Sequence, residues 1–318
     1  MVVRAAADPP PPHCRRAIHR PHRRAGRLTM SSQIIDTHPH ITSPDVERYP
    51  PDPLGGKRSD WSKERSATIE SLIVAMDEAG VDKAAIVHSS TTYGFDNSYV
   101  ADSIAGRSDR VTGVFSVNVT APEAPDLMRY WVARGMTGMR IYARGSTMAK
   151  DWLRIDDPVV TPAWECAAEL GISVATNVNA RDESLEHIKT ILARFPEVRL
   201  FIDHLGRPPI ADGAPYRAAD SYFDLARFPN LYLKYTRSGL DSMVKGEAEP
   251  VGFMTRLVSV FGADRIAWGS NYLSAPGTLS EIIASAKAAC VGLSDDDRSW
   301  IFARTAQRLY PALADRQR

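Results

Sequence analysis

The sequence predicts a single-domain (β/α)8 barrel, an α/β fold, and three observations carry that prediction. Short apolar runs alternate with amphipathic helical patterns through about 280 residues, the size and order such a barrel needs. Eight of the runs suit a strand, and nearly every one ends on a polar residue. No glycine-rich phosphate loop follows the first run, as the competing doubly wound sheet would require.

The first strand is Ile34-Ile35-Asp36, opening into Thr37-His38-Pro39-His40. A polar, proline-rich loop runs to about Arg65, and a helix follows in which Ile69, Leu72, Ile73 and Met76 share a face and Gly80 ends the pattern. Residues 83–89 read as the second strand, opening into Ser90-Thr91-Thr92-Tyr93-Gly94, with a helix over 97–106. The third strand is expected at 111–118 with a helix around 127–134, and the fourth at 137–142, ending in Ala143-Arg144. A helix at 161–170 stops at Gly171, a fifth strand spans 172–177, and Leu185, Ile188 and Leu192 mark a helix over 185–195. The sixth strand, 198–204, closes on a histidine. After a segment at 222–228 come the seventh strand at 231–234, a helix at 253–261 and the eighth strand at 265–271; helices at 279–289 and 298–309 complete the chain.

A formal net charge of +1 conceals an asymmetry. Residues 1–29 carry seven arginines, no lysine and one acid, Asp8, so the rest of the chain stands at −5. A body of that sign has no electrostatic reason to bind nucleic acid. The same stretch holds Pro9-Pro10-Pro11-Pro12 and little apolar periodicity, so residues 1–29 are expected to form a disordered arm before a barrel at 30–318, with Met30 as the functional start. Its prolines and lack of serine oppose a transit helix, and it has no apolar signal core. No run approaches the roughly 20 apolar residues that span a bilayer. Three scattered cysteines, Cys14, Cys166 and Cys290, argue against a disulfide framework or a cysteine zinc site. The expectation is a cytoplasmic protein whose partner is a small molecule; its oligomeric state is left open.

Chemistry gathers at the strand ends. On an extended strand alternate side chains share a face, so His38 and His40 project together, as two imidazoles that ligate a metal or form a polar site would. The other ends present Ser89, Asn118, Arg140 with Arg144, Asn177, His204, Lys234 and Asn271. In a barrel of this kind the catalytic groups sit there.

Asp36-Thr37-His38-Pro39-His40, Asp203-His204-Leu205-Gly206-Arg207-Pro208 and Trp268-Gly269-Ser270-Asn271-Tyr272 resemble the amidohydrolase superfamily over 34–313, and within it the amidohydrolase-related group that contains metal-independent 2-pyrone-4,6-dicarboxylate lactonases. The resemblance implies a metal centre drawn from the first, fourth, fifth, sixth and eighth strands. This chain keeps His38, His40 and His204 but has no carboxylate or lysine at the fourth strand, Asn177 near the fifth-strand histidine, and Asn271 at the eighth-strand aspartate. A neutral amide orients water but cannot deprotonate it. No tightly bound metal is therefore expected, with Zn²⁺ on His38, His40 and His204 as the alternative.

What remains suits an anionic substrate. Arg140, Arg144, Arg207 and Lys234 would form a cationic mouth for carboxylates, although Arg207 and Arg237 taken singly read as rim charges. By similarity to the metal-independent lactonases, Ser89 and Thr91 take the hydroxyl role, and Asn177 joins the substrate-binding set. The leading expectation is a hydrolase that opens a small carboxylated lactone, with His38, His40, His204 and Asn271 as catalytic residues. One histidine, ordinarily titrating near 6.5, would replace the aspartate as base. The alternatives are a metal-dependent decarboxylase or hydrolase of the same group, and a silent barrel that binds an acidic metabolite.

Overall fold

The computed structural model describes Met1 and residues 33–315 apart from 146, 149–151, 182 and 245, so residues 2–29 of the expected arm and the start at Met30 lie outside the described residues. Eight strands, β1 (Ile35–Asp36), β2 (Lys83–Val87), β3 (Val111–Phe115), β4 (Met136–Ile141), β5 (Ser173–Thr176), β6 (Leu200–Ile202), β7 (Leu231–Tyr235) and β8 (Ile266–Trp268), pair in parallel in chain order. Across the seam between β8 and β1, the Thr37 amide and hydroxyl donate to the Trp268 carbonyl, and the Ser270 amide donates to Asp36 Oδ1 at 2.8 Å. The expected (β/α)8 barrel is the fold.

Strand alternation sorts the side chains into two cores. In β2, Ala84 and Ile86 belong to the outer core under the helices, while Ala85 and Val87 belong to the inner one. The inner core is small-residue-rich because the barrel is narrow, and Tyr310 with Leu309 and Leu313 fills its floor. At Gly138 a Cβ would come within 2.6 Å of the Tyr310 ring, so the plug requires glycine there.

Helix limits follow their sequence signals. Thr68 caps the helix Ile69–Ala79 by accepting from the Ser71 amide, and Gly80 ends it at φ 67°. Thr278 and Glu281 form a capping box on Leu279–Ala289. The short helix Asp60–Glu64 lies in a stretch read as loop, and Arg237–Val244 in one for which no element is expected. The helix expected over 298–309 is divided into Asp295–Ser299, a π turn at Trp300–Arg304 and Thr305–Leu309. β3, β6 and β8 end at Phe115, Ile202 and Trp268, short of the expected 118, 204 and 271. Among the described residues no helix is long and apolar enough to cross a membrane, and Cys166 and Cys290 are buried free thiols.

Candidate active site

The same alternation selects what enters the upper barrel. Phe201 and Tyr232 point inward, so Asp203 and Lys234, two residues further on, do too. Met139 and Ile141 pack outward, which turns Arg140 in. The three side chains meet. Lys234 Nζ lies 2.8 Å from Asp203 Oδ1, both fully buried, and Arg140 Nε donates to Oδ2 at 2.8 Å. Burial raises the pKa of the Asp203 carboxyl, but Lys234 and Arg140 outweigh it and hold the group down at about 2. Burial lowers the pKa of the Lys234 ammonium, against the attraction of Asp203.

The histidines sit on this cluster at two depths. His38 is fully buried, with Nδ1 3.6 Å from Asp203 Oδ1 and no hydrogen-bond partner at either ring nitrogen. Its ring centroid lies 5.0 Å from that of His40 and 5.4 Å from that of His204. Gly269 allows this packing, because a Cβ there would stand 2.7 Å from His38 Cβ. His40 and His204 reach the cavity above. The Nδ1 of His40 faces the Val87 carbonyl at 2.8 Å, and a carbonyl only accepts, so the proton is on Nδ1 and the lone pair is on Nε2. Trp61, on the unanticipated helix Asp60–Glu64, stacks on His40 at 5.3 Å. Burial lowers His40 and His204 to about 3 and leaves His38 well below its ordinary value, so all three are neutral at pH 7.

Backbone strain concentrates here. His204, Leu205, Gly206 and Arg207 form a left-handed turn with φ 57°, 57°, 70° and 50°, and Asn271 has φ 56°. Each non-glycine residue so placed costs about 1–2 kcal/mol. The turn is fastened by the Ala180 amide donating to Gly206 O at 2.7 Å, and it brings His204 and Arg207 to one cavity of about 250 Å³. Strain of this kind collects at functional sites.

Seven expected residues line that cavity: His40, Ser89, Thr91, Arg140, Asn177, His204 and Asn271. Three do not. His38 and Lys234 lie within the barrel, and Arg144 lines an adjoining cavity with Arg181 and Arg207. Asn177 does more than line the wall: its Oδ1 accepts from the Ala143 and Arg144 amides and its Nδ2 donates to Arg144 O, which fixes the chain after β4. Ser89 shares a hydrogen bond with Thr92, and Thr91 with Ser59, both at 2.8 Å. Arg207, read as a rim charge, lines the cavity, whereas Arg237 pairs with Asp241.

Over residues 35–312 the sequence matches the family described as amidohydrolase. The chain belongs to the amidohydrolase family. A curated L-fucono-1,5-lactonase from Burkholderia ambifaria is 29% identical over 253 residues, which are 75% of this chain and 79% of that protein. In fold it resembles a candidate 2-pyrone-4,6-dicarboxylic acid hydrolase from Pseudomonas putida (TM-score 0.69, 17% identity, 89% of this chain and 99% of that one). A similar match is an amidohydrolase from Burkholderia multivorans crystallised with zinc (TM-score 0.66, 18% identity, 88% and 99%). The expected family and enzyme class therefore stand.

In this amidohydrolase the donor group suited to a metal differs from the expected one. It is His38, Asp203 and His204, whose ligand atoms lie within 4.8 Å of one another, and not His38, His40 and His204. Two neutral imidazoles and a carboxylate match zinc by type. Their surroundings do not. Both oxygens of Asp203 are held by cations, and Lys234 stands on the oxygen that faces His38. As arranged, the residues do not fit a divalent ion. In the sequence Asp203 reads only as part of a motif; its role depends on Lys234 and Arg140, far away in sequence.

Proposed function

We propose that this amidohydrolase opens the ester ring of a small lactone bearing a carboxylate, without a tightly held metal. One observation carries the reading: a single small cavity presents two neutral imidazoles and the Asn271 amide beside the guanidinium groups of Arg140 and Arg207. Arg207 meets the substrate carboxylate, a geometry for which the planar guanidinium is suited. Water attacks the lactone carbonyl, and Nε2 of His40 accepts its proton. The amide of Asn271 and the charge of Arg140 stabilise the developing oxyanion. The imidazolium then returns its proton to the ring oxygen as the carbon–oxygen bond breaks, giving a hydroxy acid. With its conjugate acid at about 3, lowered by burial and by the charge of Arg140 against the opposing pull of the Val87 carbonyl and Asp203, His40 has the basicity of the carboxylate that Asn271 replaces.

The likeness to a fuconolactonase supports lactone opening, and the arginines support the carboxylate. The test is proton release from a panel of carboxylated and neutral lactones by chelator-treated protein. Turnover that favours the carboxylated members is expected. No turnover of any lactone would overturn the reading.

A further inference from the structure

We infer that Lys234 occupies the electrostatic place of a metal ion in this barrel, and that removing its ammonium would open a zinc site on His38, Asp203 and His204. In its meaning for catalysis this rests on the lactone-opening reading; its geometry and its test do not.

His38 is fully buried, yet neither ring nitrogen has a hydrogen-bond partner, although buried polar groups nearly always find one. The only carboxylate oxygen near its Nδ1 is Asp203 Oδ1, at 3.6 Å among the described residues. An ion bound between His38 and His204 would draw on that oxygen, and the Lys234 ammonium already lies 2.8 Å from it. Oδ2 offers no substitute, since Arg140 holds it. The ammonium is itself locked in place: it lies 4.5 Å from the Phe201 ring centroid, and its side chain has no exposure.

Charge decides the competition. Asp203 is in contact with two cations; a divalent ion would add two more positive charges within a few ångströms of Lys234, where water does not screen them. Asp36, the next carboxylate, has Oδ1 engaged by the amides of His38 and Ser270, and its partnerless Oδ2 is not among the ligand atoms that gather within 4.8 Å of one another. Asn271 adds no charge at the eighth strand. Lysine thus supplies from within the barrel a fixed positive charge that needs no loading, and it keeps Asp203 ionised beneath the histidines.

The experiment titrates Zn²⁺, then Co²⁺, into dialysed wild-type protein and into Lys234→Met, reading calorimetric stoichiometry and visible cobalt absorption. Wild type should take up no tight ion. Lys234→Met should bind one per chain at least about a hundredfold more tightly, because the nearest repelling charge is gone, and adding His38→Ala should abolish this. Lys234→Arg, which keeps the charge, should behave as wild type. Should Lys234→Met lose its native circular dichroism, Lys234→Gln replaces it, retaining a donor without charge. One tight zinc per wild-type chain, lost on His38→Ala, would overturn the inference, as would a folded uncharged variant with wild-type zinc affinity. Because affinity is read without substrate, a failed lactone panel leaves this result interpretable.

Discussion

Lys234 Nζ on β7 and Asp203 Oδ1, one residue past the end of β6, stand 2.8 Å apart, with neither side chain exposed. A pair taken out of water gains little net stability, but breaking it strands one charge in the interior, at a cost of about 3–5 kcal/mol. Asp203→Ala should therefore lose about that much in urea unfolding, while Arg48→Ala, which breaks a pair in which the arginine is 65% exposed, should lose under about 1 kcal/mol. Equal losses would mean that the buried cluster is not the structural hub described.

Gly269, directly after β8, bears on the same layer. A methyl there would meet His38 Cβ at 2.7 Å and Thr37 Oγ1 at 3.0 Å, both on a tightly held segment. Gly269→Ala should cost about 1–3 kcal/mol and reduce kcat by displacing His38. An unchanged melting temperature with full activity would refute the close packing at the seam.

Four histidines set the pH response. Burial lowers His40 and His204 to about 3, His88 to about 4 and His38 well below its ordinary value, whereas the unfolded chain recovers about 6.5. Between those values the unfolded chain binds protons that the folded chain refuses, so stability rises with pH through that window and is lost as pH falls from about 6.5 toward 3. Asp203, held at about 2, adds a loss in the same direction below about pH 4. Each proton contributes about 1.4 kcal/mol per pH unit. Melting temperature should hold near neutrality and drop steadily below about pH 6.5; a constant value down to pH 5 would contradict the assignment. For the same reason the acidic limb of kcat/KM should lie well below the histidine-like position that the sequence alone suggested.

Arg207 offers a cleaner test of the carboxylate site than Arg140, whose Nε is committed to Asp203. Losing one charge-assisted contact is worth about 1.5–3 kcal/mol, so Arg207→Ala should lower kcat/KM for carboxylated lactones roughly ten- to a hundredfold and leave neutral ones nearly unchanged. An equal loss on both would return Arg207 to the rim.

The barrel was legible because its eight apolar runs are separated by capped helices such as Ile69–Ala79, whose limits rest on local signals at Thr68 and Gly80. That seven of the expected residues line one cavity was legible for the same reason, since a strand end is a fixed address in this fold. What escaped was non-local. Nothing local in Asp203 distinguishes a motif residue from the partner of Lys234 and Arg140. Leu205 and Arg207 carry no preference for left-handed backbone and His204 only a weak one, so Gly206 was the main local hint at the turn that lifts Arg207 into the cavity. Trp61 escaped because its helix, Asp60–Glu64, is too short to show periodicity.

The central claim is that His40 serves as the base for lactone opening without a metal, and the most direct measurement is kcat for a carboxylated lactone with chelator-treated wild type and His40→Ala side by side. The predicted result is full wild-type turnover in chelator and a loss of about 10²- to 10⁴-fold in the variant, the usual contribution of a positioned base. Wild-type turnover that disappears in chelator and returns with one zinc per chain, or a His40→Ala variant as fast as wild type, would contradict it.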